Sequence, residues 1–230
     1  MAGGTGEMLT IALPTGRMLD PCRKILERLG LPCENLEHRG RSLVVDENKT
    51  RYLLAKPMDL PAYVHYGAAD IAFAGSDVIQ ERGGALVEIA DTGEGRCRLA
   101  VAGPVELAER FMGHESGLMG LRIATKYPVI TNAYFASRGI QPEIITLHGS
   151  IELAPLLGLS DCILDIVQTG NTLKANRLRV LEDVAPVSLR IVASRKSVQT
   201  KWEQLARILF RIRQMKGGHL DEHALPEKDE

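Results

Sequence analysis

Short apolar runs alternate with amphipathic stretches along most of the chain. Leu9-Thr10-Ile11-Ala12-Leu13 reads as a buried strand, and Leu19, Cys22, Ile25, Leu26 and Leu29 then recur at helical spacing until Gly30 closes the helix. The pairing returns at Arg51-Tyr52-Leu53-Leu54-Ala55, followed by a helix from Asp59 to about Tyr66, and at Asp70-Ile71-Ala72-Phe73-Ala74-Gly75, followed by a helix opened by Ser76. Leu86 to Ala90 and Arg98 to Ala102 read as two more strands around a glycine-bearing loop. A second series begins at Leu121-Arg122-Ile123-Ala124. It passes through a helix closed by Gly139 and a strand from Glu143 to Leu147, and reaches the apolar run Cys162-Ile163-Leu164. Leu181 to Ile191 reads as extended, with Pro186 marking an edge or a kink. Val187 to Ala193 reads as a strand, and Trp202, Leu205, Ala206, Leu209 and Ile212 as one face of a long final helix. Strands alternating with helices at this short spacing predict βαβ units and an α/β fold with mostly parallel sheets.

The second series sits between strand pairs that look like parts of the first, and His114-Glu115-Ser116-Gly117 is a polar connector. The expectation is two lobes, each a mixed, mostly parallel sheet flanked by helices: residues 1–103 and 181–230 as a discontinuous lobe I, and residues 104–180 as lobe II. Two such lobes make a cleft, where small ligands usually bind.

Composition narrows the function. With 28 basic against 29 acidic residues there is no global field to attract nucleic acid, and 4% aromatic residues leave little for stacking on single strands. The four cysteines (Cys22, Cys33, Cys97, Cys162) have no CxxC spacing and no histidine at ligand spacing, so reduced thiols are expected rather than a zinc site or disulfides. His219 and His223 lie four apart but in an acidic terminus, and no metal site is expected there. Met1 to Glu7 lacks the pattern of a signal peptide, and no apolar run has membrane-spanning length, so the expected compartment is the cytoplasm.

The stretch with the most chemistry is Asp165-Ile166-Val167-Gln168-Thr169-Gly170-Asn171-Thr172-Leu173. An apolar run, an acid, a small polar turn and a helix-competent segment read as strand, tight loop and helix N-terminus. Such a loop aims backbone N–H groups at one point, Thr169 and Thr172 add hydroxyls, and Gly170 removes a Cβ, which together make a phosphate cradle without a lysine. The plainer reading is a turn with Thr169 as an N-cap. Gly16-Arg17 follows the first strand and Arg41 lies in a polar loop. Both arginines are candidates for phosphate contacts, with surface turns as the local alternative.

The segment from Glu152 to Leu173 resembles the signature of the ATP phosphoribosyltransferases of histidine biosynthesis. Glu152, Gly158, Ser160, Ile163, Asp165-Ile166, Thr169-Gly170 and Thr172-Leu173 stand at its fixed positions. Arg122-Ile123-Ala124-Thr125-Lys126-Tyr127-Pro128 is similar to the segment that opens the family's second domain. Asp59-Leu60-Pro61 with Gly67, Asp70-Ile71 and Gly75 is similar to a block of its first domain. The likeness runs from about residue 8 to about residue 215.

The resemblance implies a two-lobed periplasmic-binding-protein-like fold. It also implies transfer of the phosphoribosyl group of 5-phosphoribosyl 1-diphosphate to N1 of ATP, giving N1-(5-phosphoribosyl)-ATP and diphosphate. The chain resembles the family's short form, which implies a regulatory subunit similar to histidyl-tRNA synthetase, in a hetero-octamer or alongside a homodimer. The loop Thr169, Gly170, Asn171, Thr172 and Leu173 is assigned the donor's 5′-phosphate, and Asp165 and Glu152 its ribose hydroxyls. Arg17 and Arg41 are the catalytic candidates for the diphosphate or ATP phosphates, with Gly16 and Arg51 as weaker ATP contacts. Mg²⁺ is expected to arrive on the donor's diphosphate, with no carboxylate cage from the chain. Three positions depart from the family: Thr15 and Leu121 stand where lysine is usual, and Lys56 where arginine is frequent. The rival readings are a two-lobed anion-binding protein without catalysis, another class of phosphoribosyltransferase, and a non-catalytic regulatory paralogue.

Overall fold

The computed structural model describes residues 8–112 and 120–216. The expected connector at His114 to Gly117, the pair His219 and His223, and the first seven residues lie outside the described residues. The elements in chain order are β1 (Leu9–Pro14), α1 (Leu19–Arg28), β2 (Val44–Glu47), β3 (Thr50–Ala55), α2 (Leu60–His65), β4 (Ile71–Gly75), α3 (Ser76–Arg82), β5 (Leu86–Asp91), β6 (Cys97–Gly103) and α4 (Ala108–Met112). They continue with β7 (Arg122–Thr125), α5 (Pro128–Ala136), β8 (Glu143–Thr146), α6 (Leu153–Leu156), β9 (Cys162–Val167), α7 (Asn171–Ala175), β10 (Arg179–Val187), β11 (Leu189–Ser194), α8 (Arg195–Thr200) and α9 (Trp202–Lys216).

The chain divides into two compact units. The first holds the described residues up to Phe73, Ala85–Gly93 and Arg190 onward; the second holds Ala74–Gly84 and Glu94–Leu189. The first is built on a six-stranded sheet in the order β2-β3-β1-β4-β11-β5, with β1 parallel to both β3 and β4. Ile11, Leu13, Phe73 and Ile191 are fully buried in it, and Ile25 and Leu26 of α1 and Leu205 of α9 supply the matching helix faces. At its amino edge Asp70 gathers three donors. Its carboxylate accepts from Thr10 N at 2.7 Å, Lys201 Nζ at 2.7 Å and Ser197 Oγ at 3.1 Å, and so ties β1 to α8 and the start of α9.

The second unit is built on a five-stranded sheet in the order β10-β6-β9-β7-β8. Here the boundaries differ from the sequence reading, which gave residues 74–84, 94–103 and 181–189 to lobe I. β6 pairs antiparallel with both β9 and β10, so both belong to the second sheet. Strand pairing is non-local, and an apolar run carries no mark of its partner. Pro186 does lie on an edge strand, β10, whose ladder has register shifts between Val180 and Glu182 and between Asp183 and Ala185.

Within the second unit α3 braces α5. Glu81, 7% exposed, accepts from Val129 N and Ile130 N, both at 3.0 Å. A carboxylate from another helix thus satisfies two of the N–H groups that a helix start leaves open. Glu81→Ala is expected to cost about 2–4 kcal/mol, since it strands buried donors. The measure is the thermal midpoint; an unchanged midpoint would show that solvent caps α5 equally well.

Candidate active site

The phosphate-cradle stretch falls at the carboxyl end of β9, as its residue order suggests. β7, β8 and β9 run parallel, so the segments following Thr125, Thr146 and Val167 share one edge of the second sheet. Gly170 has φ +77 and is the N-cap of α7, with no side chain capping that helix. The N-cap reading of Thr169 therefore fails: its Oγ1 only meets Asn171 N at 3.5 Å, too long to satisfy that donor well. Among the described residues no acceptor takes the N–H of Thr172 or of Leu173. Thr169, Asn171 and Thr172 are exposed, while the Leu173 side chain is buried with Ile151, Ile163 and Leu178. Leu173 thus anchors the loop from below and offers a ligand only its backbone.

Asp165 lies on the same strand, with its side chain 15% exposed. Its Oδ1 accepts from Ile166 N at 2.8 Å and lies 3.6 Å from Lys126 Nζ. Burial raises its carboxyl above the ordinary carboxylate range; the Lys126 ammonium and the Ile166 N–H oppose that rise, and the charge of Glu152 adds to it. Glu152, half-buried just before α6, is therefore close enough to be felt at Asp165. The rest of the signature is architectural. Gly158 has φ +69 and its carbonyl accepts from Arg122 Nη1 at 3.1 Å, and Ile163 is a core residue of β9. Ser160 is 3% exposed, and nothing in the structure explains its hydroxyl.

In the first unit Gly16 (φ +80) turns the chain after β1 and Arg17 follows it, exposed and without an ion pair among the described residues. The register places Arg41 on the same edge. β2 begins at Val44 opposite Leu53, and Leu54 N donates to Leu43 O at 2.8 Å, so the loop before β2 runs past the carboxyl end of β3. A cavity of about 400 Å³ lined by Leu19, Asp20, Arg23, Leu36, Glu37, Arg39 and Gly40 opens beside that loop. Lys56, exposed after β3, lies on this edge too.

Arg51 does not. It stands opposite Thr10, near the amino end of β1, and about 13 Å of strand separates it from the carboxyl edge. Its guanidinium grips Asp46 across the hairpin, with Nε to Oδ1 at 2.7 Å and Nη2 to Oδ2 at 2.9 Å. A side chain with a local acid partner at the wrong end of the strand is a sheet residue, and the ATP contact expected of it has no geometric support.

The departures from the family pattern also acquire places. Leu121 is fully buried before β7, where a charge would carry a desolvation cost. Thr15 donates its N–H to Ala55 O at 2.8 Å and is half-buried.

Three residues stand out that the sequence reading did not single out for a role: Lys126, Tyr127 and Asp77. Thr125 Oγ1 donates to Leu164 O at 2.7 Å and accepts from Tyr127 N at 2.9 Å, and Tyr127 OH donates to buried Asp77 Oδ2 at 2.8 Å. Burial and then the Asp77 charge push the Tyr127 phenol well above its usual range. The available sequence signal was position: all three lie at or just past the carboxyl ends of strands. Among the described residues no three His, Cys, Asp or Glu side chains converge to hold a metal, and no helix is long and apolar enough to cross a membrane. None of the four cysteines is joined in a disulfide among the described residues.

Two helix-flanked mixed sheets, one of them with a loop of open N–H groups at its carboxyl edge, define an α/β protein of the periplasmic-binding-protein-like type. The comparisons narrow this. The family model described as HisG: ATP phosphoribosyltransferase matches residues 56–214. An ATP phosphoribosyltransferase from Citrifermentans bemidjiense is 43% identical over 210 residues, covering 90% of this chain and 98% of that one. One from Ruminiclostridium cellulolyticum is 45% identical over 208 residues, covering 89% and 95%. A solved ATP phosphoribosyl transferase (HisG:HisZ) complex from Thermotoga maritima has a chain of TM-score 0.76 and 34% identity, covering 90% of this chain and 98% of its own. The chain belongs to the ATP phosphoribosyltransferase family.

Proposed function

We propose that the chain catalyses the first step of histidine biosynthesis, joining ATP to 5-phosphoribosyl 1-diphosphate through adenine N1 and releasing diphosphate. The observation that carries the site assignment is the open pair of N–H groups at Thr172 and Leu173, beside an acid on the same sheet edge. The loop Thr169 to Leu173 takes the donor's 5′-phosphate. Asp165 and Glu152 accept hydrogen bonds from the ribose hydroxyls. Adenine N1 is a weak nucleophile, so the transition state puts oxocarbenium character on the ribose and growing charge on the departing diphosphate. Orientation and electrostatic stabilisation supply the acceleration, and no covalent nucleophile is required. Arg17 and Arg41 are assigned to the phosphates of the leaving group or of ATP.

Mg²⁺ would come with the donor's diphosphate and would supply charge screening there. The hydroxyl, N–H and guanidinium groups assigned here would bind the phosphate oxygens that carry the ion. The Thermotoga complex supports a regulatory partner of the HisZ kind in a hetero-oligomer, and a biosynthetic role with these substrates supports a cytoplasmic location. The binding-protein alternative is not favoured, because the relatives named above are transferases.

The test is diphosphate release with ATP, donor and Mg²⁺, run with and without the regulatory partner. Release should require all three reactants; no release in either condition would refute the proposal.

A further inference from the structure

We propose that Lys126 is a positioning residue for the donor: its ammonium, 3.6 Å from Asp165 Oδ1, holds that side chain as the carboxylate that receives the ribose hydroxyls. The inference rests on the reading of Asp165 as a ribose ligand and adds to it the group that keeps this acid in its accepting form.

Backbone and side chain both place Lys126 for this. β7 and β9 are parallel neighbours with Thr125 opposite Leu164, so residues 126 and 165 follow side by side at the carboxyl edge. The Thr125 hydroxyl pins the turn, since it donates to Leu164 O at 2.7 Å and accepts from Tyr127 N at 2.9 Å. The Lys126 ammonium also lies 5.9 Å from the centre of the Tyr127 ring, at the reach of a cation–π contact. The turn that carries Lys126 is thus pinned, and its ammonium lies near both Asp165 and the Tyr127 ring.

The acid needs such a partner. Its side chain is 15% exposed, and the charge of Glu152 opposes a second negative charge there. The charged and titratable groups that face it are few. Lys126 comes from the end of β7, Glu152 from the turn before α6, and the Tyr127 phenol from the start of α5, its proton held by Asp77. β6 presents Ala100 opposite Asp165. One ammonium, together with the Ile166 N–H, therefore stands against burial and a neighbouring carboxylate. A protonated Asp165 would lose acceptor capacity just where vicinal hydroxyls need two acceptors. The sequence pattern expected a phosphate cradle without a lysine; the structure places a lysine next to that cradle, aimed at the acid.

The test is the pH profile of kcat/KM for the donor, followed from the alkaline plateau down its acid limb, in the wild type, Lys126→Met, Lys126→Arg and Asp165→Asn. Lys126→Met should move the acid limb to higher pH. Its donor KM should rise about tenfold on the acid limb and under about threefold on the alkaline plateau, with kcat at saturating donor little changed. Lys126→Arg should restore the wild-type profile. A KM raised by the same factor at every pH would make Lys126 a direct phosphate contact and overturn the proposal; so would a Lys126→Met profile superimposed on the wild type. Donor binding unaltered in Asp165→Asn would sink the ribose assignment itself. Weakened binding in Asp165→Asn with an unshifted Lys126→Met profile would sink the lysine inference alone.

Discussion

In a Thr169→Val/Gly170→Ala double variant, the heat of donor binding in calorimetry is expected to vanish, with affinity reduced at least about a hundredfold, or roughly 2.7 kcal/mol. Gly170 sits at φ +77, where a Cβ costs about 1–2 kcal/mol, so alanine drives the loop out of the shape that leaves the Thr172 and Leu173 N–H groups open. Each N–H to a charged phosphate contributes about 1.5–3 kcal/mol, so misplacing one is enough for the predicted loss. The valine removes the Thr169 hydroxyl as well. The fold should be spared. Thr169 is exposed, a Cβ at Gly170 would meet nothing within 4 Å, and the Leu173 anchor is untouched. The thermal midpoint is the control. Wild-type binding heat in a folded double variant would reduce the loop to an ordinary turn.

That loop was legible because its chemistry is local. Apolar run, acid, small polar turn and helix start all lie within a dozen residues, and β9 and α7 form where the pattern placed them. The same holds for β1 with α1, and in part for α9: Leu205 and Ile212 of the expected apolar face are buried, but Trp202 is exposed and Ile208, outside that face, is buried instead. Partnership across the sheet was not legible. Residues 97–103 look the same in sequence whether they pair with β4 or with β9, and only the ladders of β6 settle it. Arg51 shows the same limit at one residue. Its type and strand suggested a phosphate contact, but the pairing of Asp46 with Arg51 in the β2–β3 register gives it another task. Lys126 was hidden for the opposite reason. It meets Asp165 across 39 residues of chain, through a parallel ladder whose neighbours the sequence does not state.

Arg17→Ala is expected to lower turnover by about 10²–10³-fold, the usual effect of losing one donor aimed at charge that develops in the transition state. Its geometry suits that role. Gly16 bends the chain at φ +80 immediately beyond β1, so Arg17 emerges at the carboxyl edge, exposed and without an ion pair among the described residues. An arginine that holds no ion pair gives up little when it meets a diphosphate, and its planar fork suits phosphate oxygens. For the same reasons its loss should shift folding stability by no more than about 0.5 kcal/mol. Arg51→Ala is the matched control: it removes a bidentate pair with Asp46 at the other end of the strand and should leave turnover near wild type. Unchanged kinetics in Arg17→Ala would remove Arg17 from the site. A fall in Arg51→Ala as large as that in Arg17→Ala would mean that sheet integrity, rather than a cation at the carboxyl edge, sets the rate.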